Sequence, residues 1–369
     1  MTPFSTRSAL LYLLAPLALL ASSAHAIVTC PRDTAHPMAP AMSAANDVAR
    51  RLAGLEIQGE ADHATYSTAV NDGWQAYQQT FRQPLANWAV KEVRAGTGGT
   101  VFYPFSGPDL PSVLTITPGA SRYVMIADQY ATPYFDPFAL KEPDRSRVIS
   151  ALGEAWASFG QRGFFVTTEL NKGGGRKYGL SPSMIMLAFA ARMGYEVRAI
   201  SPICLDATDR SIRTQDGRKA YWNSVRLELR KDGRDVIVDY VQQDLSDRGL
   251  RKNPLAHAFV ENLARGPVLF KAASHLPQMP AFTLIRNAIL THTPLLVQDE
   301  TGLEYDAMAE RFNVRLYGAY IGAHRLFKEA INPSLIKAYK DHARDVRPLE
   351  FKIGYDKDAG SALQVAIRK

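Results

Sequence analysis

Residues 101–129, VFYPFSGPDLPSVLTITPGASRYVMIADQ, decide the fold that we predict for this chain. They read as an apolar strand, a turn, a short helix and a second apolar strand, which ends at Asp128. The turn carries a single glycine, Gly107, and then a proline and Asp109. Strand, glycine turn, helix, strand and acid follow one another in this order in a nucleotide-type βαβ unit. The stretch therefore predicts the start of a parallel sheet.

Downstream of this stretch, short apolar strands alternate with helical patterns, which is typical of a largely parallel sheet covered on both faces. Residues 225–241 alternate apolar and polar side chains on both sides of Asp232-Gly233, which predicts a hairpin with a two-residue turn. We therefore predict an α/β fold, a Rossmann-like and mostly parallel sheet over residues 96–369.

The region before the sheet is predicted to be a tether and a helical arm, residues 27–95. Its strongest signal is an aromatic stripe at helical spacing, formed by Tyr66, Val70, Trp74, Tyr77 and Phe81. Such a stripe is more typical of a helix face in the core than of a sugar-binding platform.

Residues 1–26 have the layout of a secretory signal peptide. Arg7 precedes a leucine-rich core from about Ala9 to Leu20, and Ala24 and Ala26 form an A-x-A cleavage site. We therefore expect cleavage near Ala26 and a periplasmic or secreted protein. No later apolar segment is long enough to span a bilayer, so we expect no transmembrane segment in the mature chain.

Composition and charge argue against several classes of protein. The formal net charge of +7 is scattered along the chain, with no block of five like charges, which gives a nucleic-acid partner little support. The eight histidines show neither H-E-x-x-H nor another metal-ligand spacing, so we predict no metal site. We also predict no cofactor, and we expect the partner to be a small molecule or an envelope component.

The two cysteines, Cys30 and Cys204, leave two alternatives open. In an oxidising compartment they could form one disulfide, which would tie the amino end to a predicted strand. Two reduced thiols are equally compatible with the sequence.

Candidate binding residues follow from strand ends, because ligands of open α/β sheets gather at the carboxyl ends of the strands. This rule predicts a crevice lined by Ser106, Gly107, Asp109, Asp128 and Asp299. Asp109 has two possible roles, capping the following helix or facing the crevice, and capping is favoured slightly.

A second candidate site is the loop ELNKGGGRKYGLSPS, residues 169–183. Its glycines and cations precede a helix amino terminus, so its backbone N–H groups could hold an anion. The residues in question are Lys172, Gly173, Gly174, Gly175 and Arg176. The loop has no P-loop spacing, and a flexible solvated loop is the more common explanation for such a segment.

The stretch 101–129 resembles the first βαβ unit of class I methyltransferases, and the resemblance places Asp128 where an acid accepts ribose hydroxyls. The chain departs from the family because Gly107 stands alone, Pro108 has no N–H, and Asp109 would repel an anionic group. Adenosylmethionine is also a cytoplasmic metabolite. We therefore expect a methyltransferase-like scaffold without the activity.

A longer resemblance covers most of Thr65 to Arg368. The segments VFYPFSGPD, GFFVTTEL, FKAASHL, FTLIRNAIL and LLVQDETGLEYDAM, in this order, look like a functionally uncharacterised exported bacterial family with an F-Y-P-F-x-G-P-D turn. The resemblance implies export but supplies no catalytic residues.

Two hypotheses about function follow. The first is an exported, non-catalytic protein that binds a ligand or associates with the envelope. The second is an extracytoplasmic hydrolase for an envelope or polysaccharide substrate, with Asp109, Asp128 and Asp299 as acid and base. In a hydrolase, Ser106 or Ser274 could instead be the nucleophile and His275 or His324 its base. No G-x-S-x-G motif supports the nucleophile.

Overall fold

A computed structural model describes residues 27–30, 42–55, 62–93, 99–163, 181–215, 220–322, 327, 332–355 and 360–369. These residues form one mixed sheet with the strand order β4-β3-β5-β6-β2-β1-β7-β8-β10-β9. The strands are β1 (Thr100–Pro104), β2 (Arg122–Ala127), β3 (Glu196–Leu205), β4 (Ile212–Thr214), β5 (Val225–Lys231), β6 (Arg234–Gln242), β7 (Val268–Phe270), β8 (Leu295–Asp299), β9 (Phe312–Gly318) and β10 (Ala362–Arg368).

Eleven α-helices lie within the described ranges. They are α1 (Met42–Leu52), α2 (Asp62–Tyr77), α3 (Gln83–Glu92), α4 (Leu110–Ile116), α5 (Asp144–Arg162), α6 (Pro182–Arg192), α7 (Asp247–Lys252), α8 (Pro254–Leu263), α9 (Thr283–His292), α10 (Tyr305–Ala309) and α11 (Pro333–Asp341). A π-helical turn, Gln78–Arg82, joins α2 to α3.

The five central strands, β6-β2-β1-β7-β8, are parallel. Numbered among themselves in chain order, they stand 3-2-1-4-5, which is the doubly wound arrangement. The order reverses between β1 and β7, and in such sheets a ligand binds outside the carboxyl ends at this switch point. The prediction of a Rossmann-like, mostly parallel sheet with an amino-terminal helical region is confirmed.

Antiparallel strands flank this parallel core on both sides. β5 and β6 form the predicted hairpin, and Asp232 and Gly233 take the positive φ angles, 49° and 76°, that its two-residue turn requires. At the other edge, β10 inserts between β8 and β9 and runs antiparallel to both.

The strands at the centre of the sheet are buried on both faces, and alternate residues of β1 belong to different cores. In β1, Val101 and Tyr103 belong to the hydrophobic cluster that also contains the amino-terminal helices, whereas Phe102 belongs to the cluster containing α8 and α9. The aromatic stripe of α2, including Trp74 and Tyr77, is buried in the first cluster. The prediction that this stripe is a core face is therefore confirmed.

Cys30 and Cys204 are joined in a disulfide, which decides between the two alternatives left open by the sequence. The Cys30 N–H donates to the Leu205 carbonyl at 3.0 Å, and the Leu205 N–H donates to the Val28 carbonyl at 2.9 Å. Residues 27–30 are thus held against the end of β3. Within the described ranges, no helix combines the length and apolar character needed to cross a membrane.

Candidate functional site

The turn after β1 lies at the switch point and is held by its own hydrogen bonds. Phe105 and Gly107 take left-handed conformations, with φ of 57° and 51°. The Ser106 N–H donates to the Ile126 carbonyl of β2 at 3.1 Å. The Ser106 hydroxyl donates to the Gly107 carbonyl at 2.9 Å. A side chain at position 107 would meet no steric obstacle, since nothing lies within 4 Å of the position of an added Cβ. The glycine is therefore favoured there by its positive φ and not by a lack of space.

Asp109 is the N-cap of α4, so the favoured alternative for this residue is confirmed. Its carboxylate accepts from the Ser112 N–H at 3.4 Å, and it is buried, with 8% of its surface exposed. The carboxylate also accepts from the Tyr103 hydroxyl at 3.0 Å and from Lys271 Nζ at 2.8 Å. One side chain therefore caps a helix and forms a buried ion pair.

Lys271 follows β7 directly and is itself buried, with 4% of its surface exposed. Besides Asp109, its Nζ donates to the Gly163 carbonyl at 3.1 Å and lies 5.4 Å from the centre of the Phe81 ring. A carboxylate, a carbonyl and an aromatic face together stabilise the buried ammonium group. Sequence reasoning missed Lys271, whose only signal is a lysine placed directly after a short apolar strand.

Asp299 ends β8 and is fully buried. Its carboxylate accepts from the Ala272 N–H at 2.7 Å and from the Thr301 N–H at 3.0 Å, and it also accepts from the Thr301 hydroxyl. Burial raises the pKa of Asp299, whereas these hydrogen bonds and the charge of Lys271 lower it. The residue fastens the loop after β8 to the loop after β7.

The loop after β7 has an unusual backbone. Ala272, Ser274 and His275 all have positive φ, between 51° and 57°, which is rare for residues with a side chain. Such strained conformations persist only where the surrounding structure fixes them, and they cluster at functional sites. Here Asp299 binds the Ala272 N–H, and the Tyr355 hydroxyl donates to the Ala272 carbonyl at 2.6 Å. No sequence pattern predicts this strain, because none of these residues is a glycine or an asparagine.

Ser274 and His275 are neighbours in this loop but do not form a nucleophile–base pair. The Ser274 hydroxyl shares a hydrogen bond of 3.0 Å with the Tyr355 hydroxyl. His275 Nδ1 lies 3.3 Å from Gln278 Oε1, and the imidazole is 1% exposed. Burial lowers the pKa of His275, which favours the neutral imidazole.

The three acids predicted to line one crevice do not share a solvent-facing site. Asp109 and Asp299 are buried and bound by donors of the protein itself, whereas Asp128, at the end of β2, is exposed. The Asp128 carbonyl accepts from the Gln242 side chain at 3.2 Å. The switch point thus holds two of the three acids, and the third stands on the neighbouring part of the edge.

The predicted anion loop, Lys172, Gly173, Gly174, Gly175 and Arg176, lies outside the described residues and stays a prediction. His324, the other suggested base, also lies outside them. The described part of the chain holds no group of three or more His, Cys, Asp or Glu side chains that could bind a metal ion.

Comparisons with protein-family models, with curated proteins and with solved structures found no match.

Proposed function

We propose that this chain is an exported, non-catalytic binding protein on a methyltransferase-like, Rossmann-like scaffold. The observation that carries the proposal is the buried Asp109–Lys271 pair at the switch point. In sheets of this order the switch point is where the ligand enters, and here the protein's own side chains fill it.

Nucleotide cofactors need free backbone N–H groups at this turn, because those groups bind the phosphate or carboxylate. In this chain the N–H groups of Ser106, Asp109, Leu110 and Ser112 donate to acceptors of the turn itself or of β2, which leaves the Gly107 N–H outside this set. Pro108 has no N–H to offer. An anionic ligand would have to compete with Asp109 for Lys271 and would leave a buried carboxylate without its counterion.

Export is supported by two observations. Residues 1–26 have the signal-peptide pattern, and Cys30 and Cys204 form a disulfide. Mass spectrometry of the protein recovered from a periplasmic or culture fraction should give an amino terminus at Ile27. Recovery of an unprocessed chain from the cytoplasm would contradict export.

The hydrolase alternative receives less support from the site. Paired catalytic carboxylates must reach substrate and water, whereas Asp109 and Asp299 are buried and saturated with donors. The strained loop at Ser274 and His275 favours this alternative, but the nucleophile and base are bound to other partners there.

The binding function is tested by a thermal-shift screen of metabolites and glycans on the purified protein. A ligand present at 100 times its dissociation constant adds about 2.7 kcal/mol to the free energy of unfolding, which raises the Tm by several degrees. In parallel, the same protein is assayed for methyl transfer from adenosylmethionine and for glycan hydrolysis. A ligand without turnover supports the proposal. Turnover that Asp109→Asn or Asp299→Asn abolishes would establish the enzyme instead.

A further inference from the structure

Five aromatic residues lie beside the closed switch point, on the segment that follows β2 and the segment that precedes β5. This aromatic surface consists of Tyr130, Tyr134, Phe135, Tyr221 and Trp222. Tyr221 is 60% exposed and Tyr130 is 38% exposed. The other three are half-buried, because each packs partly against the main hydrophobic core. The surface therefore presents aromatic groups to solvent while the core fixes most of its members in place.

Two chain segments form the surface, and they are bonded to each other. The segment after β2 and the segment before β5 meet through the Ala131 N–H, which donates to Asn223, and the Thr132 N–H, which donates to Trp222, at 2.9 and 2.8 Å. The rings of Tyr134 and Trp222 pack edge to face, with centres 6.3 Å apart. These contacts fix the backbone of the two segments and the rings of Tyr134 and Trp222 before any ligand arrives, which lowers the entropy cost of binding.

Neighbouring side chains fix both segments further. The Ser183 hydroxyl, at the start of α6, lies 3.0 Å from the Ala131 carbonyl and 2.8 Å from the Thr132 carbonyl. The side chain of Gln215 accepts from the Tyr221 N–H at 3.1 Å and donates to the Tyr221 carbonyl at 3.2 Å. Tyr221 is thus held by its backbone while its ring stays exposed, which is the geometry of a stacking platform.

Polar groups lie next to the aromatic surface. Asp128 and Thr132 are exposed beside Tyr130, and the tyrosines carry hydroxyl groups at their tips. A carboxylate offers several acceptor positions to hydroxyl donors.

We propose that this aromatic surface binds a saccharide chain, with pyranose rings stacked on Tyr221 and Trp222 and sugar hydroxyls bonded to Asp128. A pyranose has an apolar C–H face and a rim of hydroxyl groups, which matches aromatic faces beside a carboxylate. The inference rests on the proposed binding function and names its ligand class. It places the ligand beside the switch point, at the part of the same sheet edge where Asp128, Tyr130 and Tyr221 are exposed.

Fluorescence titration tests the inference, because Trp222 reports on the surface. The other three tryptophans, Trp74, Trp88 and Trp156, are buried. Cellohexaose, chitohexaose and maltohexaose are titrated separately into the purified protein at up to millimolar concentration. We expect at least one of them to change the tryptophan emission, and Trp222→Phe to abolish that change.

Tyr221→Ala removes the most exposed ring of the surface, and Val90→Ala is its matched control, since Val90 is a 66% exposed apolar residue on α3. We expect Tyr221→Ala to weaken saccharide binding by about tenfold, the loss of one stacking contact, and Val90→Ala to leave it unchanged. Circular dichroism and the Tm verify that both variants fold.

The remaining outcomes contradict either the saccharide inference or the proposed binding function. Equal saccharide affinity in Tyr221→Ala, absence of saccharide binding, or preferential binding of a peptide at this surface overturns the saccharide inference. If the thermal-shift screen meanwhile finds another ligand, bound equally by wild type and Tyr221→Ala, the proposed binding function stands. Methyl transfer or glycan hydrolysis by the wild type would overturn that function itself.

Discussion

The carboxyl ends of β1, β7 and β8 are covered by buried side chains bonded to one another, whereas those of β2 and β6 lie beneath exposed aromatic rings and an exposed acid. In the first region, Asp109, Lys271 and Asp299 are at least nine-tenths buried, and their charged groups are satisfied within the protein. In the second, Asp128 and Tyr221 face solvent.

Strand order alone does not determine where a ligand binds on this fold, because a strand end can be covered by buried side chains or exposed to solvent. The strand order predicts a binding site at the boundary between β1 and β7. The buried charges there are already paired within the protein, so a ligand would form few new interactions with them.

Lys271→Met removes one partner of the buried ion pair and leaves the Asp109 carboxylate without a counterion. We expect it to lower the free energy of unfolding by about 3–5 kcal/mol, measured by urea denaturation. The double variant Asp109→Asn/Lys271→Met keeps the helix cap and removes both charges, so it should be more stable than Lys271→Met alone. If the double variant loses as much stability as Lys271→Met, or more, the interaction between the two charges contributes little to the free energy of unfolding.

Asp299→Asn places an amide nitrogen against donors that now face a carboxylate, the N–H groups of Ala272 and Thr301. The mismatch should lower the free energy of unfolding by about 1–3 kcal/mol. A variant as stable as wild type would show that Asp299 does not hold the strained loop.

His275 gives the closed region a pH dependence. Burial lowers the pKa of His275 below the ordinary value of 6.5, so the unfolded chain takes up the proton before the folded chain does. The free energy of unfolding therefore declines as the pH falls below about 6.5. Asp299 acts in the opposite sense: because its pKa is raised above 3.8, its contribution is present at low pH and is lost as the pH rises through the raised value.

His275→Asn isolates the histidine contribution, because asparagine does not titrate and tolerates a left-handed backbone. Between about pH 7.5 and about pH 5.5, wild type should lose more stability than the variant, because only the wild-type chain holds a buried histidine whose pKa is lowered. Parallel pH profiles of the two proteins would contradict the buried, neutral state of His275.

Asp128→Asn and Tyr221→Ala, in the open region, should each change the free energy of unfolding by less than about 0.5 kcal/mol, because both side chains are exposed. Saccharide binding is the property that they should change. A large loss of stability in either variant would show that the second region is also closed.

Much of the fold could be predicted because its signals are local. Alternation around Asp232-Gly233 predicts the hairpin, the period of the aromatic stripe predicts a buried helix face, and the acid before α4 predicts its cap. Each of these depends on residues that lie close together in the chain.

The candidate site could be predicted only in part, because its chemistry depends on distant residues. Lys271 lies 162 positions after Asp109, and Ala272 lies 27 positions before Asp299. The residue types at the strand ends predict which residues lie at the carboxyl edge of the sheet. They do not show whether a carboxylate at this edge is buried and paired or exposed to solvent. The left-handed residues of the loop after β7 are likewise imposed by Asp299, Thr301 and Tyr355.

The closed switch point is tested most directly by isothermal titration of the purified wild-type protein with adenosylmethionine. We expect no binding heat at ligand concentrations up to the millimolar range, because the buried Asp109–Lys271 pair lies at the switch point. Stoichiometric binding with a micromolar dissociation constant would contradict it.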